Sequence, residues 1–215
     1  MDCNEAKDMS MASRCKFVCK ALEANGFHAV FAADEETACA EAMRLIGSDA
    51  SVGIPGTVTV REIGLVERLR KDGHKIYEHW DPNMSNEARR AAFMGELTAD
   101  WFVTSANAVT TDGMIVNIDG TGNRVGAISW APGKLLFIIG ANKITADIHA
   151  AVARCRNTAT PPNALRLSMD TPCAETGLCF DCRSPQRLCN VISILERPPR
   201  GRDCHVIMVG RELGY

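Results

Sequence analysis

The 215-residue chain is most informative first for what it lacks. It has no surplus of one charge. Lys+Arg 24 against Asp+Glu 26 leaves a net charge of −2, so no basic field is available to hold a nucleic-acid backbone. It has no long apolar run either. The longest, Leu135 to Ile139, is far too short to span a bilayer. The opening Met1-Asp2-Cys3-Asn4-Glu5 has neither the basic start nor the apolar stretch of a signal peptide. No internal repeat or low-complexity linker interrupts it. Walker, G-x-S-x-G and H-E-x-x-H patterns are all missing, and the five histidines show no ligand spacing. These absences exclude a nucleic-acid binder, a membrane protein and the commonest hydrolase and phosphate-loop enzymes. They predict a soluble, cytoplasmic chain. At 46% hydrophobic and 23% charged it has an ordinary globular composition, which argues for one domain over residues 1–215.

Ten cysteines are the departure from the average. In a reducing compartment such thiols stay free, bind metal or carry redox chemistry rather than form a disulfide framework. Cys15 and Cys19, one helical turn apart beside Val18 and Leu22, read as packing residues. The cluster Cys173-x5-Cys179-x2-Cys182-x6-Cys189 reads differently. It lies in a turn-rich segment, 170–190, with Pro172, Gly177 and Pro185. Four thiolates satisfy either a [4Fe–4S] cluster or tetrahedral Zn²⁺. A zinc ribbon usually has two C-x2-C pairs and only one is present, and the spacing also departs from the bacterial ferredoxin run, so spacing alone does not name the metal. Packing or redox cysteines without metal are the bland alternative.

Hydrophobic periodicity sketches the fold. A helix with Met11, Cys15, Val18 and Leu22 on one face stops at Gly26, and a strand spans Phe27–Ala32. Asp34 caps a helix ending at Gly47, and Ala50–Ile54 forms a short strand. Thr59-x-x-Glu62 has capping-box spacing and predicts a helix from there to Gly73. Ile76 marks another strand, Ser85 caps a helix ending near Leu97, and Trp101–Thr104 is a strand. Asp112-Gly113 predicts a β-hairpin. Lys134–Gly140 reads as a strand buried on both faces, and Thr145–Cys155 as a helix. Val191–Leu195 and His205–Val209 are the last two strands. The alternation predicts an α/β fold, a mostly parallel doubly wound sheet with helices on both faces, plus the hairpin and a Cys-rich C-terminal extension. Ligands in such sheets lie outside the carboxyl ends of the strands.

Three loops follow strands and carry polar residues suited to a small anionic or hydroxylated metabolite. The first, Gly53 to Thr59, offers Gly56, Thr57 and Thr59, with Glu62 beyond. The second supplies Asn107, Asp119, Asn123 and Arg124. The third, Gly140-Ala141-Asn142-Lys143, places Asn142 and Lys143 directly after the buried strand. A tight turn with a capped helix explains the first loop equally well, and turn chemistry explains Asp112-Gly113 without a ligand.

These segments resemble the LUD-domain family of lactate-utilisation proteins. The resemblance is carried by Gly56-Thr57-Val58-Thr59-x-Arg61-Glu62-Ile63-Gly64-Leu65 and Asn107-Ala108-Val109-Thr110-x-Asp112-Gly113. It continues in Asn117-Ile118-Asp119-Gly120-Thr121-Gly122-Asn123-Arg124-Val125 and Gly140-Ala141-Asn142-Lys143-Ile144. It implies a fold like the ribose-5-phosphate isomerase, glucosamine-phosphate deaminase and CoA-transferase superfamily. It also implies a role in oxidising a small 2-hydroxy acid such as lactate, beside separate iron–sulfur or oxidoreductase subunits. It brings no catalytic residue. The Cys173–Cys189 segment looks like a subgroup feature. Together with the redox setting that the resemblance implies, the single C-x2-C pair and the lack of a nearby histidine, it suggests a redox accessory subunit with a [4Fe–4S] cluster as the expected occupant and zinc the alternative. The alternative is a non-redox isomerase, acyl or CoA transferase or ligase acting on a phosphorylated, CoA-linked or folate-like substrate. A third possibility is a binding protein stapled by its metal.

Overall fold

A computed structural model describes all 215 residues. Six strands form one parallel sheet: β1 (His28–Ala32), β2 (Val52–Gly53), β3 (Ile76–Tyr77), β4 (Trp101–Thr104), β7 (Lys134–Gly140) and β10 (Cys204–Val209). Their order is β1-β10-β7-β4-β2-β3. A second, mixed sheet has the order β8-β5-β6-β9, from β5 (Ala108–Thr110), β6 (Ile115–Asp119), β8 (Ile144–Thr145) and β9 (Val191–Leu195). The Asp112-Gly113 hairpin is there, as antiparallel β5 and β6, and belongs to this second sheet. The cysteine segment follows helix α8 (Thr160–Arg166) and includes the short α9 (Pro172–Thr176). One strand of each sheet comes after it.

Strand β7 shows why the sheet is covered on both sides. Alternate residues of a strand point to opposite faces. Leu135, Phe137 and Ile139 join a core with Cys15, Val18, Leu22, Val109, Ile115 and Leu195. Leu136 and Ile138 join another with Ala38, Ile46, Leu65 and Leu69. One face is covered by α1 (Cys3–Ala24), α6 (Asn123–Ser129) and the second sheet. The other is covered by α2 (Glu35–Ile46), α3 (Val58–Glu62) and α4 (Leu65–Lys71). Each fully buried Leu or Ile contributes roughly 1.5–3 kcal/mol relative to exposure. Cys15 and Cys19 pack there as small apolar groups, and burial pushes their thiols up to about 11 and about 12.

Several elements differ from the sequence reading. The first helix starts at Cys3, because the Asp2 carboxylate accepts from the N–H groups of Asn4 and Glu5 at 2.8 Å. The helix expected over 59–73 is two pieces, α3 and α4, separated at Gly64, whose φ of +72° no helix interior adopts. Thr59 does not cap it, since Thr57 precedes the first turn and Thr59 already lies inside α3. A helix the periodicity did not show, α6, opens after the left-handed Gly122. Helix α7 (Ile148–Arg154) does not stop at Cys155 but runs through a π turn, Cys155–Ala159, into α8. Pro161 and Pro162 fit there because the first turn of a helix leaves its N–H groups unbonded anyway.

Candidate functional site around Lys143

In a parallel sheet all strands end on one side, so the loops after β2, β4, β7 and β10 gather there. Lys143 is at the centre. It closes a 3₁₀ turn, Ala141–Lys143, that begins where β7 ends, and only 3% of it is exposed. Its Nζ donates to Thr59 Oγ1 at 2.8 Å and to Ser105 Oγ at 2.9 Å. Both partners are hydroxyls, not carboxylates. Burial, then the nearby Arg154 and Arg124 guanidinia, push the amine down to about 7, with Glu62 opposing. A buried lysine without a counter-ion holds its proton weakly because its charge has lost water and found no replacement.

A latch of hydrogen bonds surrounds the amine. Arg154, on α7, donates to the carbonyls of Asn142 (3.0 Å), Asn107 and Tyr215 (3.2 Å). The Asn107 side-chain oxygen accepts from Arg124 at 2.7 Å and from the Ile118 N–H at 3.0 Å. Arg124 pairs with Asp119, whose other oxygen accepts from the Val125 N–H at 2.7 Å in the first turn of α6. Asn117 donates to the Ser105 carbonyl at 2.9 Å, while its own side-chain oxygen is buried without a partner, as is the Thr57 hydroxyl.

The segment after β10, Gly210 to Tyr215, lies across this group as a strap. The Leu213 N–H donates to the Asn142 side chain at 3.1 Å, and the Gly214 N–H donates to Glu62 at 2.6 Å. Two glycines make the approach possible. A Cβ on Gly140 would lie 2.7 Å from the Leu213 nitrogen, and one on Gly214 would lie 3.1 Å from Lys143 Nζ.

Thr59 and Lys143 therefore share one set of hydrogen bonds with Ser105 and Asn117. Glu62, Asn107, Asp119, Arg124 and Asn142 share another through Arg154 and the strap. The two meet at Asn142-Lys143, with Gly56 and Thr57 in the adjoining turn. Asn123 stands apart, its side chain accepting from Thr121 within its own loop at 2.8 Å. Three participants escaped the sequence reading. Ser105 carried a signal, as a hydroxyl immediately after a buried strand. Arg154 had none, lying mid-helix far from its partners in sequence. In the pair His79 and Glu96, whose Nδ1 and Oε1 are 2.6 Å apart, His79 had the same signal, lying in the loop just after β3, whereas Glu96, on the helix Asn86–Thr98, had none. Glu96 is buried, which raises its carboxyl above the usual range, and the far nitrogen of His79 faces Gly56.

The cysteine segment is arranged differently. Arg187 organises it, donating to the carbonyls of Cys182 (2.6 Å) and Cys189 (3.3 Å) and to Asp181 (2.7 Å). Cys182 and Cys189 line a cavity of about 380 Å³ with Arg156, Arg183 and Arg187. Burial pushes the Cys189 thiol up, and Cys179 is close enough to add to that effect. Cys173 lies on α9 beside Thr171, 3.4 Å from its hydroxyl. No three Cys, His, Asp or Glu side chains stand close enough to cage one metal ion, so the residues as placed do not fit tetrahedral zinc.

The LUD-domain family matches this chain over residues 16–209. No curated protein matches it. Among solved structures, it is similar to the crystal structure of a DUF162-family protein from Deinococcus radiodurans. The TM-score is 0.53 at 13% identity, covering 93% of this chain and 98% of that one. At that identity the likeness speaks for the fold alone.

Proposed function

Because the chain belongs to the LUD-domain family, we propose that it serves lactate utilisation by binding a small 2-hydroxy or 2-oxo acid against Lys143. One observation carries this reading: a buried amine at the convergent strand ends, held by two hydroxyls and no carboxylate. An incoming carboxylate supplies the missing negative charge, and Thr59 and Ser105 are positioned to hydrogen-bond its 2-oxygen. The strap main chain, which now uses Glu62, Asn142 and Arg154, gives way to the ligand.

The redox part of the proposal is a thiolate-held centre on Cys173, Cys179, Cys182 and Cys189. The redox role associated with the family favours a [4Fe–4S] cluster over zinc, and a cavity adjoins two of the four thiols, Cys182 and Cys189. Such a cluster would supply one-electron transfer. Its thiolates would bring negative charge that Arg156, Arg183 and Arg187 are placed to offset. Separate oxidoreductase subunits would then be its electron partners.

The same three arginines favour a second reading, a non-redox enzyme whose phosphorylated or CoA-linked substrate puts its phosphate in that cavity. A thermal-shift and calorimetric panel of L-lactate, pyruvate, sugar phosphates and CoA tests both, since a ligand that binds only the folded form raises its stability. Shifts with lactate or pyruvate that vanish in Lys143→Met support the first reading. Shifts with phosphate esters alone, retained in that variant, replace it with the second.

A further inference from the structure

We propose that Lys143 is a covalent site, its ε-amine condensing with the carbonyl of a 2-oxo acid to form an imine. The inference rests on the reading that a small 2-oxo acid enters this site, and it goes further by giving the amine a bond-forming role.

Three features of the surroundings point there. A lysine that only braces a fold is expected to hold a buried carboxylate, yet the nearest carboxylate on this side, Glu62, spends an oxygen on the Gly214 N–H. Both partners of Nζ are hydroxyls, which accept from an ammonium and donate equally well to the lone pair of a neutral amine. Burial above all, and then the neighbouring cations Arg154 and Arg124, disfavour a positive charge on Nζ, and the resulting pKa of about 7 leaves a large neutral fraction at neutral pH. Desolvation beside other cations is how a lysine becomes nucleophilic. The strap passes the amine with no side chain at Gly214, where a Cβ would lie 3.1 Å from Nζ.

The chemistry balances without any oxidant or reductant. The Nζ lone pair attacks the carbonyl carbon, and the carbonyl π electrons move to oxygen. That oxygen takes a proton relayed from the amine through the Ser105 or Thr59 hydroxyl. The carbinolamine hydroxyl then takes a proton from the same relay and leaves as water while the nitrogen lone pair forms the C=N bond. The remaining N–H proton of the iminium returns to the relay, so that both amine hydrogens end on the water. Arg154, released from the Tyr215 carbonyl as the strap lifts, faces the acid's carboxylate.

The test is reductive trapping. The full chain is incubated with pyruvate, glyoxylate or 2-oxobutyrate and cyanoborohydride, digested and mapped by mass spectrometry, with Lys143→Arg and Lys143→Met in parallel. Folding of each variant is verified by circular dichroism. The expected result is a carboxyalkyl-lysine mass shift on the peptide bearing Lys143, dominant over every other lysine and lost in both variants. Ser105→Ala, which leaves Lys143 in place, should slow trapping. If the acids raise the melting temperature but Lys143 stays unmodified, the covalent role is overturned while the ligand reading survives. If none of the acids shifts the melting temperature and no adduct forms, the ligand reading fails and the covalent role with it.

Discussion

Replacing Lys143 with methionine is expected to change the stability of the protein in opposite directions at low and high pH. Methionine keeps most of the aliphatic volume and removes the amine. The folded-state pKa lies at about 7, below the 10.5 of a lysine in the unfolded chain. Between these values the unfolded chain binds the proton and the folded one does not. The native lysine therefore carries its full penalty below pH 7 and sheds it as the pH climbs to 10.5. At about 1.36 kcal/mol per unit, that penalty is roughly 5 kcal/mol. Against it stand the two hydrogen bonds to Thr59 and Ser105, whose loss costs about 1–1.5 kcal/mol each once their hydroxyls are left buried. The variant should thus be about 2–3 kcal/mol more stable than the parent near pH 6 and about 1–2 kcal/mol less stable near pH 10, where roughly 1 kcal/mol of the penalty is still present. Urea unfolding of both proteins at several pH values measures the difference, in which every other titrating group cancels. A difference that stays constant from pH 6 to pH 10 would refute the reasoning, because it would mean that Lys143 does not change protonation in that window.

Three further outcomes follow from the same geometry. Asp119→Ala should cost about 2–4 kcal/mol in thermal or urea unfolding, since it strands the partly buried Arg124 and uncaps Val125. Asp119→Asn, which still accepts from the Val125 N–H, should recover part of that loss. Gly140→Ala should cost about 1–3 kcal/mol, because its Cβ meets main chain at Leu213. Amide hydrogen exchange over residues 211–215 should accelerate in that variant, and unchanged exchange would mean that the strap is held elsewhere. For the cysteine segment, protein purified without oxygen should carry iron and sulfide with a visible absorption band that Cys182→Ser abolishes. If it instead binds phosphate esters and loses them in Arg187→Ala, the phosphate reading of that cavity replaces the cluster.

What could be read from the chain follows the range of the forces involved. The buried run of β7, the Asp34 and Ser85 caps and the Asp112-Gly113 turn are set by neighbours a few residues away, and the structure has all of them. Thr59 and Glu62 show the limit. Their spacing fits a local capping box, but the Thr59 hydroxyl receives Lys143, 84 residues away, and Glu62 receives Gly214, 152 residues away. Tertiary partners outbid the local ones at those positions, and periodicity does not encode that. The site residues were legible where they directly follow strands, because a parallel sheet delivers all such loops to one edge. Arg154 and Glu96 reach the edge from helices, by side-chain direction alone, which leaves no mark in spacing. The cysteines stand out as a cluster in sequence, whereas in space no three of them gather as ligands of one ion.

The strand order has a consequence for how the chain is made. His28 to Ala32 pair along their whole length with His205 to Val209, and β10 is the sole neighbour of β1 in its sheet. At roughly 5–20 residues per second of synthesis, β1 waits about 10–35 s for that partner to be translated. During this time the apolar faces of β1 and of the helices that flank it have no completed sheet to cover them. The strand edge of β7 that will receive β10 also stays open. Folding of the central sheet is therefore a late event, completed after release from the ribosome exit tunnel, and a nascent chain stalled before Cys204 presents two unpaired edges to whatever chaperone attends it.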